Sequence, residues 1–211
     1  SCGIERFVFA SSQSIYGVSD VTREMDEYDS EKAPVTAYAL SKWKAELELS
    51  KLNDNNFSVV SFRPSTVFGA SPRLRSDIVY NNFIGCAFTS GRIEIKSDGS
   101  PWRPVVHIND VANAFIAGLT APKEIINGRA FNVGIRDGNF TVRELALSAK
   151  DLLPNSEVVF TGEHGRDART YRVSFTRIFR ELKGYYAPAF DLKSGGLELL
   201  DFMKNVKFGK S

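Results

Sequence analysis

Phe7-Val8-Phe9-Ala10-Ser11-Ser12-Gln13-Ser14-Ile15-Tyr16-Gly17 opens as an unbroken apolar run and closes on small hydroxyl residues. A strand without polar alternation, here Phe7 to Ser11, is covered on both faces, which is the habit of parallel sheets. Beyond it, Thr36 to Asn53 has the spacing of a helix: Leu40, Trp43, Leu47 and Leu49 recur near every third or fourth residue, and Asn53-Asp54-Asn55-Asn56 stops it. Phe57 to Phe62 is a second apolar strand, ended by Arg63-Pro64. Strand, helix and strand in that order make a right-handed crossover unit.

Further along, the pattern keeps alternating. Asp77 to Thr89 is helical, Arg92 to Lys96 is a short strand, and Ser97-Asp98-Gly99-Ser100-Pro101 turns the chain into a strand from Trp102 to His107. Asn109 or Asp110 is positioned to cap a helix running to Leu119. Ala130 to Val133 is strand-like, Thr141 with Glu144 three residues on forms a capping box for a helix to Leu152, and Val158 to Phe160 is a strand. A last helix is expected over Gly196 to Val206. The fold class is α/β.

The 211 residues are 43% hydrophobic and 25% charged, a globular composition that excludes disordered, collagen-like and coiled-coil readings. Lys and Arg total 27 against 25 Asp and Glu, and a net charge of +2 argues against a nucleic-acid partner. Two cysteines, Cys2 and Cys86, and two isolated histidines, His107 and His164, offer neither a disulfide framework nor a metal site. No apolar run approaches the roughly 20 residues of a membrane helix. The expectation is a cytoplasmic protein. The sequence begins Ser1-Cys2-Gly3 and reaches its first strand at Phe7, from which we expect more chain upstream.

The chemistry concentrates in Tyr38-Ala39-Leu40-Ser41-Lys42. Residues four apart share a helix face, so the phenol and the ammonium converge. A cation beside a phenol, whose ordinary pKa is about 10, favours phenolate and makes a proton shuttle of it. Taken alone, Tyr-x-x-x-Lys is a common spacing that more often marks a surface pair than a site. Its neighbours add weight. Ser11-Ser12-Gln13-Ser14 and Arg63-Pro64-Ser65-Thr66 follow successive strands, at the carboxyl ends where open α/β sheets bind ligands.

Together these stretches resemble the extended short-chain dehydrogenases, and within them the nucleotide-sugar epimerase/dehydratase family. The resemblance is carried by Ser11-Ser12-x-x-Ile15-Tyr16-Gly17, Tyr38-x-x-x-Lys42, Arg63-Pro64-x-x-Val67-Phe68-Gly69, the stretch Ser97 to Val111, and Phe131-Asn132-Val133-Gly134. It implies the carboxyl-terminal part of a Rossmann-type parallel sheet plus a smaller α/β substrate-binding lobe. Residues 1–70 would be what remains of the dinucleotide-binding domain, and 71–211 mainly the substrate lobe, with 104–135 returning to the sheet. It implies Ser12, Tyr38 and Lys42 as catalytic residues. NAD or NADP, with NAD favoured, would meet Ala10, Ser11, Tyr38, Lys42, Pro64 and Val67. A nucleotide-diphosphate sugar would meet Ser14, Asn82, Arg103 and Arg169, with Arg73 and Arg75 as further candidates. His107 is expected to be structural. The intact protein is expected to be a homodimer that epimerises the sugar. A keto-sugar reductase, or a non-catalytic sugar-nucleotide-binding remnant, are the alternatives.

Three departures qualify the resemblance. The family's glycine-rich phosphate loop does not occur in the 211 residues, so the chain is expected to bind the dinucleotide poorly. Pro104 stands where the family has Asp. Gln13 and Ser14 stand where its sugar dehydratases place an Asp-Glu pair, so dehydration is not expected.

Overall fold

The computed structural model describes residues 3–18, 22–162 and 170–209. In chain order these form β1 (Arg6–Ala10), a single 3-10 turn (Gln13–Tyr16), α1 (Ala37–Ser50), β2 (Ser58–Pro64), β3 (Thr66–Phe68), α2 (Val79–Ser90), β4 (Arg92–Ile95) and β5 (Trp102–His107). There follow α3 (Ile108–Thr120), α4 (Lys123–Ile126), β6 (Arg129–Val133), β7 (Asn139–Thr141), α5 (Val142–Leu152), β8 (Glu157–Phe160), α6 (Thr176–Glu181) and α7 (Leu192–Asn205).

The first sheet, β1-β2-β6, is parallel throughout, with Val8 opposite Val60 and Phe62 opposite Phe131. β2 is its central strand and is buried from Ser58 to Arg63, which explains the apolar run. α3 lies against it: a Cβ on Gly118 would meet Phe62 at 2.5 Å, so the helix sits close. Arg6 reaches across to three carbonyls at the end of α3, those of Gly118, Leu119 and Ala121, satisfying acceptors a helix end leaves open. A second core gathers Phe68, Tyr80, Ile84, Leu145, Leu199 and Met203 between α2, α5 and α7. This is a Rossmann-type parallel sheet with a smaller α/β lobe.

The chain passes between the two at Ser65. Only that residue separates β2 from β3, and β3 pairs with β5 instead of with the first sheet. Both the amide and the hydroxyl of Ser65 bond to the Val133 carbonyl, at 3.0 and 2.7 Å. Within residues 104–135, β6 joins the first sheet, whereas β5 pairs with β3 and β7.

Two boundaries differ from the expectation. α3 starts at Ile108, and its cap is His107, whose Nδ1 accepts from the Asn109 amide at 3.3 Å. Asp110 is fully buried and accepts instead from the amides of Ala189 and Phe190, at 2.7 and 3.2 Å. It fastens the carboxyl-terminal segment rather than capping its own helix. α7 starts at Leu192, capped by Asp191 with Ser194, four residues before Gly196. Gly195 and Gly196 are inside the helix because a Cβ there would run into Phe68 at 2.8 Å and Leu152 at 2.5 Å. The glycines allow close packing and do not break the helix.

α6 is held by one carboxylate. Glu181 accepts from Arg129, Arg177, Arg180 and the Tyr28 hydroxyl, at 2.9 to 3.2 Å. Burial alone would raise its pKa, but Arg180, Arg177 and Tyr28 outweigh it and hold the carboxyl below the ordinary glutamate value. A depressed carboxylate stabilises the fold above its unfolded pKa, and that contribution is lost as pH falls through the folded one. Glu181→Gln is therefore expected to melt lower than the wild type at pH 7. The gap should narrow on acidification below about pH 4. Thermal melts across pH check it, and a gap independent of pH would contradict it.

Candidate active site

Parallel strands deliver their carboxyl ends to one edge of the sheet. There β1 runs into Ser11–Gly17, and β2 into Pro64–Gly69. The 3-10 turn after β1 sorts its residues by face. With about three residues per turn, Gln13 and Tyr16 lie on the same side, and both are buried. Gln13 donates to the Arg63 carbonyl at 3.2 Å, pinning the turn to the end of β2. Ser12 and Ser14 are left half-buried on the other side. Ser12 Oγ accepts from the Ser14 amide at 3.2 Å and shares a 2.9 Å hydrogen bond with Ser14 Oγ. Gly17 closes the turn at φ +71, where a Cβ would sit 2.1 Å from the Ala33 carbonyl oxygen.

α1 supplies the other wall. The Thr36 hydroxyl caps it by accepting from the Ala39 amide at 3.1 Å, which fixes the helix start and leaves Tyr38 in the first turn, 57% exposed. Lys42 lies one turn on. Its Nζ donates to the Ala10 carbonyl at 2.8 Å and stands 5.8 Å from the centre of the Tyr38 ring. The ammonium therefore joins the end of β1 to the phenol.

These elements enclose a cleft of about 450 Å³. Ser12, Ser14, Tyr38, Pro64 and Val67 line it, as do Arg73 and Arg75. Arg75 is engaged by Asp77, with Nε to Oδ1 at 2.8 Å, a bond that pulls the Asp77 carboxyl down to about 2. No Asp or Glu among the described residues lines the cleft.

The remaining site expectations are placed elsewhere. Ser11 is buried beneath the turn, its amide bonded to the Phe62 carbonyl at 2.8 Å, and its hydroxyl has no hydrogen-bond partner among the described residues. Asn82 is exposed and donates to the Ser76 carbonyl at 3.2 Å. Its neighbour Asn81 lines the cleft, accepting from the Gly69 amide and donating to the Arg75 carbonyl, both at 3.1 Å. Arg103 on β5 is opposite Phe140 of β7, with Nη1 donating to the Trp102 carbonyl at 2.8 Å, and is not among the cleft walls. Arg169 lies outside the described residues. His107 is fully buried, stacked on Phe190 at 3.9 Å and bonded to Glu198 at 3.2 Å.

Sequence reasoning passed over Tyr171, which also lines the cleft, and of the Asn81-Asn82 pair it chose Asn82 where the structure brings Asn81 to the cleft. It also passed over a buried polar chain behind it. Arg63, Glu46, Tyr16 and Asn132 are each less than 9% exposed and hydrogen-bonded in series. The available signal was spacing, because Glu46 follows Lys42 by the same four residues that separate Lys42 from Tyr38.

Comparison with known proteins agrees with this architecture. The model of the NAD dependent epimerase/dehydratase family matches residues 1–134. Mouse dTDP-D-glucose 4,6-dehydratase is 32% identical over 152 residues, 72% of this chain and 40% of the relative. UDP-glucuronate 4-epimerase of Thermodesulfobacterium geofontis is 35% identical over 130 residues, 59% of this chain and 38% of the relative. Among solved structures, the UDP-glucose 4-epimerase of Thermotoga maritima with UDP-glucose superposes with a TM-score of 0.80 at 20% identity, over 97% of this chain and 65% of that one. MoeE5 in complex with UDP-glucuronic acid and NAD gives 0.78 at 24% identity, over 97% and 66%. The chain thus spans about two fifths of the length of these two sequence relatives. With the family model covering well over half of its residues, the chain belongs to the NAD-dependent epimerase/dehydratase family.

Proposed function

We propose that this chain is the catalytic and substrate-facing part of an NAD-dependent nucleotide-sugar epimerase. The observation that carries the reading is the cleft itself. Tyr38 and two serine hydroxyls face it, Lys42 stands beside the phenol, and no carboxylate lines it among the described residues. Tyr38 as phenolate takes the proton from a sugar hydroxyl, with Ser12 and Ser14 orienting that hydroxyl. Lys42 holds the end of β1 by its bond to the Ala10 carbonyl and stands beside the phenol ring. NAD, when bound, supplies the hydride acceptor and returns the hydride. Tyr38 then gives its proton back to the sugar oxygen, so the cycle is neutral in protons. Lys42, Pro64 and Val67 suit the nicotinamide end, and the buried Ser11 hydroxyl, next in sequence to Ala10, has no hydrogen-bond partner among the described residues. The dinucleotide phosphates would be held outside these 211 residues, which contain no glycine-rich loop.

The similarity to a sugar 4,6-dehydratase raises the alternative of water elimination. Gln13 argues against it. This residue lines the cleft, but its carboxamide is tied to the strand ends, and no acid among the described residues lines the cleft beside it. The same reading gives a cytoplasmic homodimer.

Calorimetric titration of the chain with UDP-glucose, UDP-glucuronic acid and NAD tests the assignment. The expected result is binding of the sugar nucleotides that weakens with added salt and with Arg73→Ala, and far weaker binding of NAD. Tight NAD binding without sugar-nucleotide binding would overturn it.

A further inference from the structure

Tyr38, Lys42 and Glu46 form one stripe of α1, each a turn from the next. The first faces the cleft and the second reaches the Ala10 carbonyl. The third is buried at 6% exposure against Arg63, itself 3% exposed. Arg63 meets Glu46 with two nitrogens, Nη2 to Oε1 and Nε to Oε2, the latter at 3.2 Å. Its third nitrogen, Nη1, donates to the Tyr16 hydroxyl at 2.9 Å, and Tyr16 donates on to Asn132 Oδ1 at 2.8 Å. The Asn132 amide donates to Glu27 Oε1 at 2.7 Å. Burial pushes the Tyr16 phenol up to about 12, so it stays a neutral donor. The series crosses α1, β2, the 3-10 turn and β6.

We propose that the Glu46–Arg63–Tyr16–Asn132 series is a positioning device that sets the rotation of α1, holding Tyr38 and Lys42 opposite the Ser12 and Ser14 hydroxyls. A buried ion pair adds little net stability compared with apolar packing, and setting register is its best-attested use. A planar guanidinium bound by two nitrogens tolerates little twist. Rotating α1 would separate Glu46 from Arg63 and carry Tyr38 out of the cleft with it. Tyr16 does for the serine side what Glu46 does for the helix. It sits on the buried face of the turn whose other face carries Ser14, and the two anchors share one guanidinium. The consequence is geometric, and a misplacement of about 1 Å can cost about 10²-fold in rate.

The inference gives a purpose to the cleft proposed above, and its test does not depend on turnover. The chain is labelled with 3-fluorotyrosine and the Tyr38 fluorine resonance is assigned by its loss in Tyr38→Phe. Glu46→Gln and Tyr16→Phe are then compared with wild type at a temperature where circular dichroism shows each folded. The expected result is a shifted or exchange-broadened Tyr38 line in both, with at least about tenfold weaker UDP-glucose binding. A Tyr38 line at its wild-type position with affinity unchanged in the folded variants overturns the proposal. Collapse of both variants would assign the series to stability alone and overturn it as well. If wild-type chain binds no UDP-glucose, the functional reading fails while the Tyr38 line still decides this point.

Discussion

Tyr38→Phe is expected to lower turnover by about 10²–10⁴-fold in the protein that carries this chain, because it removes the phenol oxygen to which the reacting hydroxyl would pass its proton. That loss corresponds to about 3–5.5 kcal/mol of transition-state stabilisation. The ring keeps its place in the first turn of α1, where the Thr36 cap and not the phenol fixes the backbone. Substrate and NAD affinities should therefore change little, and the loss should fall on kcat. Lys42→Ala should behave differently. Its ammonium holds the Ala10 carbonyl at 2.8 Å as well as standing over the phenol, so both affinity and kcat should suffer. Steady-state kinetics with both variants separate the two effects. Near-normal turnover by Tyr38→Phe would refute the assigned proton path.

The second large effect is on stability. Arg63→Ala should cost about 3–5 kcal/mol, because it strands the Glu46 carboxylate in a site 6% exposed and strips the Tyr16 hydroxyl of a donor. Paired removal should hurt much less. Arg63→Met combined with Glu46→Leu replaces two charges by apolar groups of similar size, an exchange that is often neutral in a buried site. Urea denaturation of the single and double variants reads the difference directly. If the double variant is as unstable as Arg63→Ala, the pair is not the coupled unit described above. A double variant that is stable but has a displaced Tyr38 would separate folding from positioning within one molecule.

Much of this was legible before any coordinates. The apolar runs at Phe7 and Phe57 and the periodicity of the intervening helix predict a parallel crossover, and β1, α1 and β2 fall within a residue or three of the expected bounds. The capping box at Thr141 appears as predicted. Strands of three residues are too short to show a period, which is why β3 and β7 had no signal. The last helix, expected from Gly196, begins at Leu192, and tertiary packing against Phe68 and Leu152 is what demands glycine at positions 195 and 196.

The site divides the same way. Convergence of Tyr38 and Lys42 follows from helix geometry alone. Glu46 continues the stripe, but a lone glutamate on a helix ordinarily faces water, and nothing in local sequence announces that Arg63 comes to meet it from β2. Asn81 and Asn82 differ by about 100° around α2. Only the packing of that helix decides which one turns toward the cleft.

The most direct test follows the sugar itself. The protein that carries this chain is incubated with NAD and UDP-glucose, or with UDP-glucuronic acid, and the anomeric proton resonances of the sugar nucleotide are followed with time. We predict that two epimers approach the same equilibrium ratio from either side, with no net consumption of NAD, and that Tyr38→Phe stops the exchange. Loss of water from the sugar, net oxidation of NADH against a keto-sugar, or an unchanged spectrum with every sugar nucleotide tried would contradict the account.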